Sequence, residues 1–214
     1  MSGLAYLDRM IADGYGQALT VGAFSTGIVG GGAGTILDLD QPELVIGVPG
    51  GFVLRPIFAE FVVGPGVTTA DSDETEALLA VDSLGLWSGD GTYTFEEPSN
   101  MNSAFAKGSS ARVGSAFTAD MTTTPRNGLT PADPVLDMEL SRNQEITDFN
   151  AAAVSVTFHT VVLRYTPAYP EWVEGPASLI GYWGGTIATL GSFGVVRWVM
   201  APRDIMRQYM KGTL

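Results

Sequence analysis

Apolar residues along this chain come in short runs, and clusters of glycine and proline separate most of them. Runs of this length, continuously apolar or alternating, predict β-strands, because strand side chains point to opposite faces in turn and turn residues end each strand. The pattern predicts about eight to ten strands. They include Leu19–Phe24, Ile36–Leu39, Leu44–Val48, Phe52–Val63, Val113–Ala119, Val135–Leu140 and Gly194–Met200.

The segment Val154–Tyr165 carries the strongest strand signal in the chain. It is rich in β-branched and aromatic residues, and apolar side chains fall on both of its alternating faces. This composition is typical of a strand buried on both faces. We therefore expect Val154–Tyr165 to occupy an interior position in a sheet.

Turn residues organise the middle of the chain. Gly89-Asp90-Gly91 precedes Thr92–Glu96, and Asp-Gly supplies the positive φ angles that a tight hairpin turn needs. The segment Thr122–Pro134 is rich in Pro and Asn, which predicts a surface loop. The segment Ala77–Leu86 fits either a helix or a strand, and its pattern leaves both open.

A short amphipathic helix is predicted at the beginning of the chain. Leu4, Leu7 and Ile11 are spaced as on one helix face, and Ser2 is an acceptable N-cap. This helix should end near Gly14, because glycine commonly terminates helices.

A second short helix, Arg203–Lys211, is predicted to begin at Pro202, since proline suits the start of a helix. Its apolar stripe consists of Ile205, Met206, Tyr209 and Met210. Three basic residues against Asp204 make it basic in an otherwise acidic protein. The segment can dock on an acidic surface of a neighbour or fold back on its own domain, and the sequence leaves both open.

These elements predict an all-β fold, an antiparallel β-sandwich with short N- and C-terminal helices. The strands come without a βαβ rhythm and without an internal repeat, which makes a jelly roll the leading topology. We expect one domain over residues 1–214, with an N-terminal helical arm over 1–14 and a C-terminal helical tail over 202–214.

Composition excludes several function classes. The chain has 27 glycines and 12 prolines, and its net charge of −12 disfavours a dedicated nucleic-acid site, because the surface repels phosphate. There is no cysteine, and His159 is the only histidine, so thiolate chemistry and multi-histidine metal centres are excluded. We predict no cofactor and no bound metal.

Two long segments contain no charged residue, Gly14–Leu37 and Gly175–Val196, and each is long enough to span a bilayer. Glycines interrupt both segments, which favours strands and turns over membrane helices. The first residues, Met1–Asp13, lack the continuous apolar core of a signal peptide.

Asp137 and Glu139 are the best candidates for carboxylate chemistry. They lie two residues apart on a predicted strand, so both point to one face, and retaining glycosidases hold two carboxyl groups about 5–5.5 Å apart. The simpler interpretation is a solvated outer face, which we favour. We expect no catalytic residues here.

The acidic segment Asp71–Glu76 offers oxygen ligands for a cation such as calcium, but it lacks the spacing of an EF-hand, which favours a solvated acidic loop. The glycine run Gly30–Gly34 is not followed by the Lys-Ser or Lys-Thr of a phosphate-binding loop. His159 lies on a mostly apolar strand, typical of a core or interface histidine. The four tryptophans, Trp87, Trp172, Trp183 and Trp198, are interpreted as core or interface anchors.

The run from Gly31 to Pro49, GGAGTILDLDQPELVIGVP, followed by many short strands, resembles structural proteins of bacterial and environmental viruses. It is similar in style to single jelly-roll capsid proteins of tailless icosahedral bacteriophages. The resemblance implies a capsid subunit without enzymatic residues, located in the virion.

The residues themselves favour the same class, since short terminal helices need a surface on which to pack. The expected function is that of a viral structural protein, a self-assembling capsid subunit and not an enzyme. Its expected partners are copies of itself and other virion proteins, and the basic tail could contact the genome or an internal membrane. The alternatives are a carbohydrate-binding or glycoside-cleaving sandwich, or a minor spike or fibre component. We expect truncation before Pro202 to weaken assembly more than folding.

Overall fold

The computed structural model describes residues 5–22, 38–63, 73–106, 110–125, 133–147, 160–185 and 193–213. The structure is mostly β, with a short helix near each end. In chain order the elements are α1 (Ala5–Ala12), β1 (Gly16–Gly22), β2 (Leu44–Val48), β3 (Phe52–Val63), β4 (Asp73–Asp82), β5 (Gly85–Trp87), β6 (Thr94–Phe95), β7 (Ser99–Asn100), β8 (Arg112–Ser115), β9 (Thr123–Pro125), β10 (Met138–Thr147), β11 (Thr160–Tyr165), β12 (Val173–Glu174), β13 (Ala177–Gly185), β14 (Phe193–Pro202) and α2 (Arg203–Lys211).

The strands form two large antiparallel sheets that pack face to face. The first sheet has the order β11-β3-β14-β1-β7, and β12 also pairs with β3. The second has the order β10-β4-β13-β2-β8-β6, and β5 and β9 form a separate pair. The described strands therefore confirm the predicted antiparallel β-sandwich.

The central core lies between the two sheets and takes side chains from both. Phe61 on β3 packs against Trp183 on β13, with ring centroids 4.6 Å apart. A Cβ on Gly194 of β14 would lie 2.7 Å from the Trp183 ring, so the indole fits only because this position has no side chain. Close packing of this kind fixes the distance between the sheets locally.

Each sheet is also covered on its outer side. The helices α1 and α2 cover the first sheet, where Met10 and Met206 pack with Val53 and Val199. Over the second sheet, Trp87 packs with Phe117 and other buried residues. This double burial explains why β2 is apolar throughout, because its alternate side chains enter the central core and the outer cluster.

The prediction of an interior Val154–Tyr165 strand is wrong for the described part. Residues 160–165 form β11 at the end of the first sheet, paired with β3, and residues 154–159 lie outside the described residues. Leu163 and Tyr165 are buried while Arg164 is exposed. β-branched and aromatic residues indicate a strand with a buried face. They do not indicate whether the strand has a neighbour on both of its edges.

The predicted hairpin at Gly89-Asp90-Gly91 is also wrong, although the turn chemistry is right. Gly89 and Gly91 have φ angles of 93° and 84°. The flanking strands nevertheless pair elsewhere, β5 with β9 and β6 with β8. Trp87, at the end of β5, packs edge-on against Tyr93, just before β6, with ring centroids 4.8 Å apart.

The other expectations have mixed outcomes. The boundaries of β2, β3 and α2 match the predictions, and Ala77–Leu86 contains no helix: it consists of the end of β4, a bend at Ser83 and Leu84, and the start of β5. The predicted surface loop Thr122–Pro134 contains β9, whose Thr123 is buried. The end of the predicted Ile36–Leu39 strand, at residues 38–39, is not strand, and residues 36–37 lie outside the described residues.

Candidate functional site

Asp137 and Glu139 are both exposed, as expected for a solvated outer face. Their carboxylates contact different neighbours. The Asp137 carboxylate accepts hydrogen bonds from the backbone N–H of Ser83, at 2.8 Å, and from its hydroxyl. Glu139 lies on β10 and pairs with Arg142 at 4.0 Å. Asp137 thus anchors a turn, and Glu139 takes part in a surface ion pair that stabilises the fold by less than about 1 kcal/mol.

The remaining candidates for chemistry fall largely outside the described residues. His159, Gly30–Gly34 and Asp71 lie there. The predicted acidic loop is wrong where the structure describes it, because residues 73–76 belong to β4, which pairs with β10 and β13. Within the described part of the chain, no group of three His, Cys, Asp or Glu residues is arranged to hold a metal ion.

The tryptophans are core residues, as predicted. Trp87, Trp183 and Trp198 are fully buried. Trp172 is half-buried and lies over the guanidinium of Arg55, with the Tyr6 ring also within reach of that cation. The three buried indoles therefore offer no exposed surface for stacking a sugar ring, and the Arg55 guanidinium lies against one face of Trp172.

Sequence reasoning missed a surface organised by Asp82. This carboxylate is 1% exposed and accepts the backbone N–H groups of Leu84, at 3.0 Å, and Val135, at 3.1 Å. It also accepts the Thr123 hydroxyl at 3.0 Å. A single buried carboxylate therefore holds together two segments about fifty residues apart in the chain.

Leu84 and Val135 carry exposed side chains, at 42% and 40% of their surface. Asp133 and Asp137 are exposed on either side of Val135. We call these four residues the Leu84–Val135 patch. The spacing of Asp133, Val135 and Asp137, two residues apart, indicates that the three side chains share one face. The sequence around Leu84 does not indicate that Leu84 lies beside them.

The acidic character of the patch extends to the turn at Asp40. Burial raises the pKa of the Asp40 carboxyl above its usual range, and the nearby charges of Asp133, Asp38 and Asp120 raise it further. The side chain of Leu39, between two of these aspartates in sequence, is also exposed. An acidic and partly apolar surface therefore spans the patch and the Asp40 turn.

This surface lies above a tyrosine that is held neutral. Tyr182 is buried, and its hydroxyl donates a hydrogen bond to the carbonyl of Leu39 at 2.6 Å. Burial raises the pKa of Tyr182, and the carboxylates of Glu43 and Asp40 add to the shift. The phenol therefore acts as a fixed hydrogen-bond donor that positions the turn.

The second surface of interest is the outward face of α2. Met206 and Tyr209 point into the helix-covered core, whereas Arg207, Met210 and Lys211 are exposed. We call these three exposed residues the α2 outer face. The helix therefore folds back on its own domain, which is one of the two arrangements that the sequence left open.

No protein-family model, curated protein or solved structure matches this chain significantly. Among the described residues, no helix is long and apolar enough to span a membrane.

Proposed function

We propose that this protein is a jelly-roll subunit of a virus shell that assembles with copies of itself. The observation that carries the proposal is the nested pairing of the eight longest described strands. β1 pairs with β14, β2 with β13, β3 with β11 and β4 with β10. A long antiparallel hairpin wound into two sheets has this pairing, which is the jelly-roll pattern.

The order within each sheet adds support. Pairing of β3 with β14 and of β4 with β13 joins the four nested pairs into the sequences β1-β14-β3-β11 and β2-β13-β4-β10. Along the chain, successive strands of these eight alternate between the two sheets. The one exception is the middle step, from β4 to β10, which stays within the second sheet. Jelly rolls of this type occur in viral capsid proteins, lectins and cupins.

Within those classes, three observations favour a shell subunit over a carbohydrate-binding sandwich. The Gly31–Pro49 run resembles phage capsid proteins. The tryptophans that a sugar site would expose are buried or stacked on Arg55. Exposed apolar residues flanked by charges lie on both outer layers, which fits the apolar core and polar rim of subunit interfaces.

In this proposal the partners are further copies of the chain and other virion proteins, and the location is the virion. Asp137 and Glu139 then serve folding and solubility. The protein would act by assembly, and it would need no cofactor.

The test is the mass of the purified full-length protein, measured by light scattering across protein and salt concentrations, with electron microscopy of the same samples. We expect closed particles or discrete oligomers whose population grows with concentration. A protein that remains monomeric at high concentration in both low and high salt would refute the proposal. Binding to a glycan panel by a monomer would instead favour the carbohydrate-binding alternative.

A further inference from the structure

Two cations of α2 differ from the other described cations. In the part of the chain that the structure describes, Arg207 and Lys211 take part in no ion pair or cation–π contact, and both are exposed. The other described arginines are engaged: Arg9, whose charge acts on Tyr209, Arg55 with Pro170, Arg112 with Ser88, Arg142 with Glu139, Arg164 with Glu60, Arg197 with Phe58 and Arg203 with Glu174.

Met210 is exposed between these two cations in the sequence, with 49% of its surface accessible. The α2 outer face is therefore basic with an apolar centre. A flexible apolar side chain flanked by cations is typical of a contact surface for an acidic and apolar partner.

The Leu84–Val135 patch has the complementary chemistry. Val135 stands between Asp133 and Asp137 in the chain, and Leu84 follows Ser83, which donates hydrogen bonds to the Asp137 carboxylate. Both aliphatic side chains are exposed, and within the described residues neither carboxylate takes part in an ion pair. The Asp40 turn adds negative potential to the same surface, because its charge and that of Asp133 act on each other. The two surfaces thus carry opposite charges, and both expose apolar side chains.

The two surfaces lie on opposite outer layers of the sandwich. The helix α2 packs on the outer side of the first sheet, with Met206 and Tyr209 in that cluster. The patch borders the outer cluster of the second sheet, against which Leu136 packs. The two surfaces therefore cannot meet within one molecule.

We propose, on the basis of the proposed assembly function, that the α2 outer face of one copy binds the Leu84–Val135 patch of the next copy. Because the contact joins two different surfaces, it is heterologous, and repeating it produces a ring or an open chain instead of an isolated two-fold dimer. Opposite charges at its rim accelerate association and select the register, while Met210, Leu84 and Val135 supply apolar contact.

The test uses charge reversal in the full-length chain, with oligomer size measured by sedimentation velocity in low salt. The helix variant is Arg207→Glu with Lys211→Glu, and the patch variant is Asp133→Lys with Leu84→Lys. The control, Arg142→Glu with Arg164→Glu, changes net charge as much as the helix variant does, but on β10 and β11. Thermal unfolding of each variant verifies that it is folded.

We expect the helix variant and the patch variant each to raise the concentration needed for assembly by at least about tenfold. The control should assemble like the original chain, and mixing the helix variant with the patch variant should yield hetero-oligomers in which altered surfaces of opposite sign meet. A chain that carries both sets of changes should regain assembly.

Three results would overturn the inference. If the original chain assembles and the helix variant assembles equally well, the interface is wrong while the assembly function stands. If both variants fail and the combined variant does not recover, α2 and the patch do not contact each other. If the original chain is monomeric, both the interface and the proposed function fail.

Discussion

Met206 is the residue whose removal most directly tests whether α2 belongs to the folded domain. It is 0% exposed and packs with α1 and with the outer side of the first sheet. Met210, one turn later on the same helix, is 49% exposed. The two residues therefore provide a chemically identical substitution in two environments.

Replacing Met206 by Ala removes buried side-chain volume and leaves a cavity, which costs about 2–5 kcal/mol of unfolding free energy. A domain of this kind has about 5–15 kcal/mol in total, so the loss is readily measured. For a chain of this length it corresponds to a decrease in Tm of roughly 4–20 °C. Met210→Ala should change stability by less than about 0.5 kcal/mol.

The assay is urea unfolding followed by tryptophan fluorescence, with the m-value checked for each variant. The buried indoles should report loss of the core. Equal stability of Met206→Ala and Met210→Ala would refute the packing argument. It would also restore the expectation that truncation before Pro202 affects assembly more than folding, whereas the observed burial of Met206 and Tyr209 predicts that truncation destabilises the fold.

Three further predictions concern single positions. Gly194→Ala should destabilise the fold by about 1–3 kcal/mol in denaturant unfolding, because its Cβ would clash with Trp183; an unchanged midpoint would contradict this. Asp40→Asn should stabilise the protein at pH 7 and have no effect below about pH 4, since the raised pKa of Asp40 penalises its charged form in the folded state, and unfolding midpoints across pH test the sign. Burial and the hydrogen bond to Asp13 raise the pKa of Tyr209 to about 12, so stability should fall as pH rises above 10, and less steeply in Tyr209→Phe.

Local sequence signals determined the strand and helix boundaries where a strong signal ended each element. The strand β2 lies between Pro42 and Pro49, and α2 begins after Pro202 and ends at Gly212, whose φ of 72° suits glycine. These are interactions within a few residues, so the local pattern contains them. The same reasoning identified the tryptophans as core residues, because large aromatic side chains gain most from burial.

The local sequence pattern did not determine which strands pair with each other. The side chains of β11 specify a strand with a buried face, yet its place at the sheet end follows from the winding of the whole chain. The glycines around Asp90 specify a turn, yet the flanking strands pair with β9 and β8, which lie further along the chain.

The candidate surfaces show the same division. The sequence shows that Arg207 and Lys211 make the last helix basic, and that Asp133, Val135 and Asp137 alternate. Only the tertiary structure brings Leu84 beside Val135, because both backbones bond to one buried carboxylate, that of Asp82, and it turns Met206 inward while Met210 remains outside. The sequence determined which residues carry charge and apolar surface, and long-range hydrogen bonding and packing decided which of them share a surface.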